Sequence, residues 1–107
     1  MPTRFIIVLV TTASKTEAEK ISNVLLKAKL IGCANIVGPV ASHFHWHEKV
    51  EHAEEFLILM KSRLALFEKI SAKVAELHSY EVPEILALPV VAGSRDYLAW
   101  LEKSLSS

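Results

Sequence analysis

The run from His78 to Pro89 reads HSYEVPEILALP and places a histidine, a tyrosine and two carboxylates in one short turn. A turn that only reverses the chain is ordinarily built from Gly, Asn, Ser and Pro. Here Pro83 stiffens the backbone and removes a donor, and His78, Tyr80, Glu81 and Glu84 crowd around it. An imidazole among carboxylates ligates divalent cations or works as acid and base. The same groups also suit turn capping and ion pairs between subunits. A second set is His43, His45 and His47. Period-2 geometry puts all three on one face of a strand, with Phe44 and Trp46 on the other. Neutral imidazoles at that spacing suit zinc or copper; the alternative is the polar outer face of a hairpin. His52, across the turn, fits either version.

The elements that must hold these groups follow from the pattern. Phe5–Val10 is a β-rich run extending to Thr12. Ser14 and Glu17 have the spacing of a capping box, and Ala18, Ile21, Leu25 and Ala28 form one helical face. Gly32 is expected to end that unit. A second strand begins over 34–37, is bent or bulged at Gly38-Pro39, and resumes over 42–46. The charges from His47 to Glu55 read as a hairpin connection in which Lys49-Val50-Glu51 pair briefly, and 56–60 as a third strand. Ser62 is expected to cap a second helix with Phe67, Ile70, Val74 and Leu77 on its apolar face. A fourth strand is expected over 85–91, with Pro89 marking an edge or an end. Ser94 is expected to cap a short C-terminal helix carrying Tyr97, Leu98, Trp100 and Leu101.

This order is α+β: a ferredoxin-like βαββαβ unit with an antiparallel four-stranded sheet and an extra C-terminal helix, one domain over 1–107. In that plan both main helices cover one sheet face. A sheet face open to water should be polar, yet Ile6, Val8 and Val10 alternate with Phe5, Ile7 and Leu9, and Phe56, Ile58 and Met60 with Leu57 and Leu59. Both faces are apolar. One ten-residue helix is small for covering the second, so another copy of the chain is the expected cover.

Composition narrows the function. Twelve basic and twelve acidic side chains balance in 107 residues, so nothing marks a nucleic-acid surface or an acidic block. Cys33 is the only cysteine, which fits a reducing compartment. The apolar run at Phe5–Val10 is too short for a signal-peptide core or a membrane span. A cytosolic protein that does not act at a membrane is expected. No glycine-rich phosphate loop, nucleophile elbow, CxxC pair or HExxH motif is present. A general base at Glu84 or His78 would lack an activated nucleophile or cofactor site beside it.

The segment His-x-Tyr-Glu-Val-Pro-Glu-Ile-x-Ala-Leu-Pro resembles the CutA family of divalent-cation tolerance proteins. Gly32-Cys33-Ala34-Asn35-Ile36, Trp46 with Lys61, and Gly93 with Asp96-Tyr97-Leu98 and Trp100 match in the same order. The resemblance runs from about Phe5 to Leu101. It implies a homotrimer with sheets packed together and a ligand pocket between subunits around Trp46, Lys61, Tyr80 and Glu84. No cofactor is obligatory, and a divalent metal, copper or zinc, is the implied ligand. The departures are informative. Val10 and Leu77 stand where some copper-linked relatives carry Cys and His, and Ser79 replaces a proline. Trp46-His47-Glu48-Lys49 lacks the glycine usual in that turn, and the histidine triple is not a family feature. The expected function is a non-enzymatic homotrimer that responds to divalent metals. A PII-like sensor of a nucleotide or organic anion, for which Lys61 and Tyr80 are suited, and a structural scaffold are the alternatives.

Overall fold

Alternating burial along the strands sets the architecture. The computed structural model describes residues 4–106. Strand β1 (Phe5–Thr12) is followed by helix α1 (Lys15–Lys27), strands β2 (Cys33–Trp46) and β3 (Lys49–Arg63), and a single 3-10 turn at Leu64–Leu66. Helix α2 (Phe67–Leu77), strand β4 (Ile85–Pro89) and helix α3 (Arg95–Ser104) complete the chain. The strands form one antiparallel sheet in the order β2-β3-β1-β4, the ferredoxin-like arrangement. Ile6, Val8, Val10, Ile58 and Met60 point to the helices and are buried with Ile21, Leu25, Ile70 and Val74. On the other face Ile7, Leu9, Leu57 and Leu59 are only half-buried. Leu86 and Leu88 on the edge strand are 53% and 46% exposed. The C-terminal helix packs Leu101 against Gly32 at one end of the sheet and leaves that apolar face open.

Several local expectations change. Helix α1 ends before Gly32, at Ala28, in a Schellman motif: Leu30 N–H donates to the Leu25 carbonyl and Lys29 N–H to that of Leu26. The left-handed position is Lys29, with φ 57°. Gly32 serves close packing instead, because a Cβ there would stand 2.6 Å from Leu101 Cδ1. Ser62 is not a helix cap. It lies within β3, fully buried, and its hydroxyl donates to the Leu30 carbonyl at 2.6 Å. The connection expected over 47–55 is mostly strand. Trp46 pairs with Lys49 and pairing continues to His43 with His52, so β3 is fifteen residues long. The fourth strand stops at Pro89 rather than Val91. Gly38-Pro39 does carry a register shift, between Val37 and Val40.

The hairpin arm formed by β2 and β3 closes in two residues, His47 and Glu48, at φ 50° and 64°. Two left-handed residues are what a type I′ turn requires, and the twist of the strands selects that turn. Neither residue is glycine, so both bear the cost of a Cβ in this region. Glu48 is exposed and makes no contact that a glycine would lose. Glu48→Gly is expected to raise the stability of the chain by about 0.5–1 kcal/mol, the strain relieved less the added unfolded-state entropy. Urea unfolding checks this through an upward shift of the midpoint at constant slope.

Candidate functional site

Helix α2 stops at His78, whose extended backbone leads the chain across the end of the sheet. Its imidazole is wholly buried, so each ring nitrogen needs a partner. Nε2 lies 2.7 Å from the Thr11 carbonyl on β1, and the Tyr80 backbone N–H donates to Nδ1 at 3.0 Å. These partners assign the neutral ring with its proton on Nε2. The turn is fastened a second time from α1. Ser14 caps that helix by accepting from Glu17 N–H, but the Glu17 carboxylate accepts from Ser79 N–H at 2.7 Å and Ser79 Oγ at 3.0 Å. Burial raises the Glu17 carboxyl. The hydrogen bonds from the Ser79 backbone and hydroxyl outweigh that and hold it below the usual carboxylate range.

With the turn fixed at His78 and Ser79, Tyr80 is directed toward β3. Its ring lies 4.7 Å from that of His78, and its hydroxyl donates to Glu55 Oε2 at 2.7 Å. Glu55 is 7% exposed, the one carboxylate among the buried residues of β3. Burial, then the hydrogen bond and charge of Glu55, then the charge of Glu17, push Tyr80 up to about 12.

Beyond this pair opens a cavity of about 620 Å³. Phe44, Trp46 and Tyr80 supply aromatic walls, and Glu51, Glu55, Glu81 and Glu84 supply carboxylates. No lysine or arginine lines it among the described residues. Phe44 pairs with Glu51 across the arm, so the arm presents an aromatic and an acid side by side. Of the residues expected at a site, Trp46, Tyr80, Glu81, Glu84 and His43 line this cavity.

The others lie elsewhere. Lys61 stands six positions along β3 from Glu55, roughly 20 Å at strand rise. There it hydrogen-bonds Asn35 and approaches Cys33 Sγ at 3.8 Å. His78 has both nitrogens engaged and positions the turn rather than presenting a lone pair. His43 and His45 share a strand face, but His47 does not continue it. Its left-handed backbone takes it into the turn, edge-on to Trp46 at 4.8 Å. Among the described residues no three His, Cys, Asp or Glu side chains are grouped to hold one ion. Glu17, Glu51 and Glu55 were missed by sequence reasoning. Glu17 was legible only as a cap. Glu55 sits in the same period-2 row as Leu57 and Leu59, a signal that emerges only once β3 is extended back through it.

Comparison with known proteins agrees with this architecture. The family model described as CutA1 divalent ion tolerance protein matches residues 6–104. The divalent-cation tolerance protein CutA of Thermus thermophilus is 39% identical over 98 residues, covering 92% of this chain and 95% of that one. The chloroplastic protein CutA of Arabidopsis thaliana is 38% identical over 99 residues; the match takes in 92% of this chain and 54% of the plant protein, about half its length. The solved structure of the periplasmic divalent cation tolerance protein CutA from Archaeoglobus fulgidus superposes with a TM-score of 0.92 at 35% identity, over 95% of this chain and 99% of that chain.

The Tyr80–Glu55 pair has a pH signature. Tyr80 stays protonated in the fold where the unfolded chain ionises it. Its contribution to stability is therefore complete below about pH 10 and is lost as pH rises from 10 toward about 12. Burial and Cys33 push Tyr97 up as well, so the effect is read in Tyr97→Phe, where Tyr80 is the remaining tyrosine. Phenolate absorbance should titrate near 12 while the chain is folded, and urea stability should fall through that window. In the Tyr80→Phe variant the fall should shrink. A phenolate midpoint of 10 in the folded chain would contradict the buried pair.

Proposed function

The chain belongs to the CutA1 family of divalent ion tolerance proteins, and we infer that it is a homotrimeric, cytosolic binding protein that responds to divalent metal ions, copper or zinc, and is not an enzyme. The observation that carries the choice of ligand is the cavity wall: four carboxylates, the aromatic rings of Phe44, Trp46 and Tyr80, the His43 imidazole, and no lysine or arginine among the described residues. A cleft lined by one sign of charge concentrates counter-ions, so this one favours a cation. The PII-like alternative leaned on Lys61, and within one copy Lys61 lies far from Tyr80. It re-enters only if a neighbouring copy carries it there.

The carboxylates are spread around the walls rather than converged on one point. One copy therefore supplies a negative field and one or two ligands, and water or a neighbouring copy supplies the rest. The half-exposed apolar face of Leu9, Leu59, Leu86 and Leu88 supports a neighbour packed on the sheet. No described helix is long and apolar enough to cross a membrane. One relative is named as chloroplastic and another as periplasmic, and the cytosolic location of this chain rests on its lone cysteine.

Two measurements test this reading. Sedimentation equilibrium should give three times the mass of one chain, persisting on dilution. Leu59→Glu should yield separate or unfolded chains, because burying an unpaired charge costs several kcal/mol, an order-of-magnitude figure. A compact micromolar monomer would sink the assembly. For the ligand, Glu84→Gln keeps shape and removes charge. Zinc or copper(II) binding to the cleft should weaken about tenfold or more, since a charge-assisted contact contributes on the order of 1.5–3 kcal/mol, while Lys61→Met should have no such effect. Nucleotide binding that Lys61→Met abolishes would favour the anion sensor. Two variants that lower trimer stability without altering any binding would leave a scaffold.

A further inference from the structure

The expected metal ligands lay along one strand; the structure pairs histidines across two. His43 on β2 and His52 on β3 are direct partners in the antiparallel register. Their rings have centroids 5.7 Å apart and are tilted by 34°. Both residues are exposed. His78 has both nitrogens engaged by protein groups, whereas neither arm ring is held by such a bond among the described residues. Direct cross-strand partners bring their Cβ atoms to about 4.5–5.5 Å. Two imidazoles bound to one tetrahedral ion at about 2.0–2.1 Å hold their ring centres roughly 5 Å apart. The observed separation is within a small side-chain rotation of that value and needs no movement of the backbone.

The surroundings fit the same chemistry. A shallow recess is lined by both rings and by Glu54, which lies two residues from His52 and so on the same face of β3. His45 is also on this face, opposite Val50, two register pairs nearer the turn.

We propose that His43 and His52 form a two-imidazole site for a first-row divalent ion on the hairpin arm, beside the acidic cleft whose wall His43 also joins. Imidazole is a borderline ligand, and the Irving–Williams order places copper(II) above nickel(II) and zinc(II) at such a site. Among the described residues no third His, Cys, Asp or Glu side chain is grouped with the pair, so water completes the coordination shell and the affinity is modest. His43 lines both the cleft and the recess, but His52 is absent from the cleft wall and Glu84 is absent from the recess, so substitutions at these two positions tell the sites apart.

Copper(II) titration of the full-length protein, followed by calorimetry and by electron paramagnetic resonance, tests this. The intact chain should show nitrogen hyperfine structure from two imidazoles. In His52→Ala the affinity of this site should fall roughly tenfold or more, at least the loss seen when a supporting residue of a metal site is removed, with one nitrogen gone from the spectrum. His52→Gln should behave the same way, with unchanged far-ultraviolet circular dichroism in both variants. His45→Ala, His47→Ala and Glu84→Gln should leave the signal in place, so failure of the cleft reading would not touch it. An unchanged affinity and spectrum in His52→Ala would overturn the proposal. So would an equal loss in His45→Ala or His47→Ala, which would return the site to the single-strand set.

Discussion

The buried imidazole of His78 constrains the functional end of this molecule. A ring with no access to water must find a partner for each nitrogen, and here the partners are the Thr11 carbonyl and the Tyr80 amide. The first fastens the end of α2 to β1. The second fixes the backbone of the residue that begins the cavity wall. Glu17 repeats the fastening from α1 through Ser79, so the turn is held by hydrogen bonds from two elements. Without those bonds Tyr80 would have no reason to reach Glu55. The carboxylate of Glu55 would then be buried with no hydrogen-bond partner among the described residues.

The hairpin arm is the second half of the site. Its length comes from pairing that continues from Trp46 with Lys49 back to the register shift at Gly38-Pro39. That shift changes the pairing between the core sheet and the arm, and the arm brings Phe44 and Trp46 opposite the turn after α2. The two faces of the arm have different chemistry, because side chains alternate along a strand. One face carries aromatics and carboxylates toward the cavity. The other carries His43, His45, His52 and Glu54.

A chain with no net charge can still hold a strongly signed site, because charge balance is a property of the whole surface and not of any patch. The acids of the cavity come from β3 and from the turn before β4. The basic side chains that balance them lie elsewhere, with Lys61 at Cys33 and Asn35, and with Arg4 and Arg63 on Glu102 of the last helix. This segregation leaves the cleft wall with carboxylates and no lysine or arginine among the described residues.

The order of elements, the sheet plan and the apolar second face were legible in the sequence, because each rests on a local pattern: a 3.6-residue period for α1 and α2, and unbroken β-rich apolar runs for β1 and the core of β3. The turn at His78–Glu84 was legible as a site because its residue types exceed what a turn needs. The tertiary structure alone decided which of those residues line the cavity. His78 was turned inward by its two hydrogen bonds, and Lys61 was placed at the far end of its strand. His47 was lost to a tight turn, while His52 became the partner of His43. Each of these depends on register between strands or on bonds between residues distant in sequence, such as Glu17 with Ser79 and Glu55 with Tyr80. Composition and spacing along one chain carry no record of which distant backbone group will stand opposite which side chain.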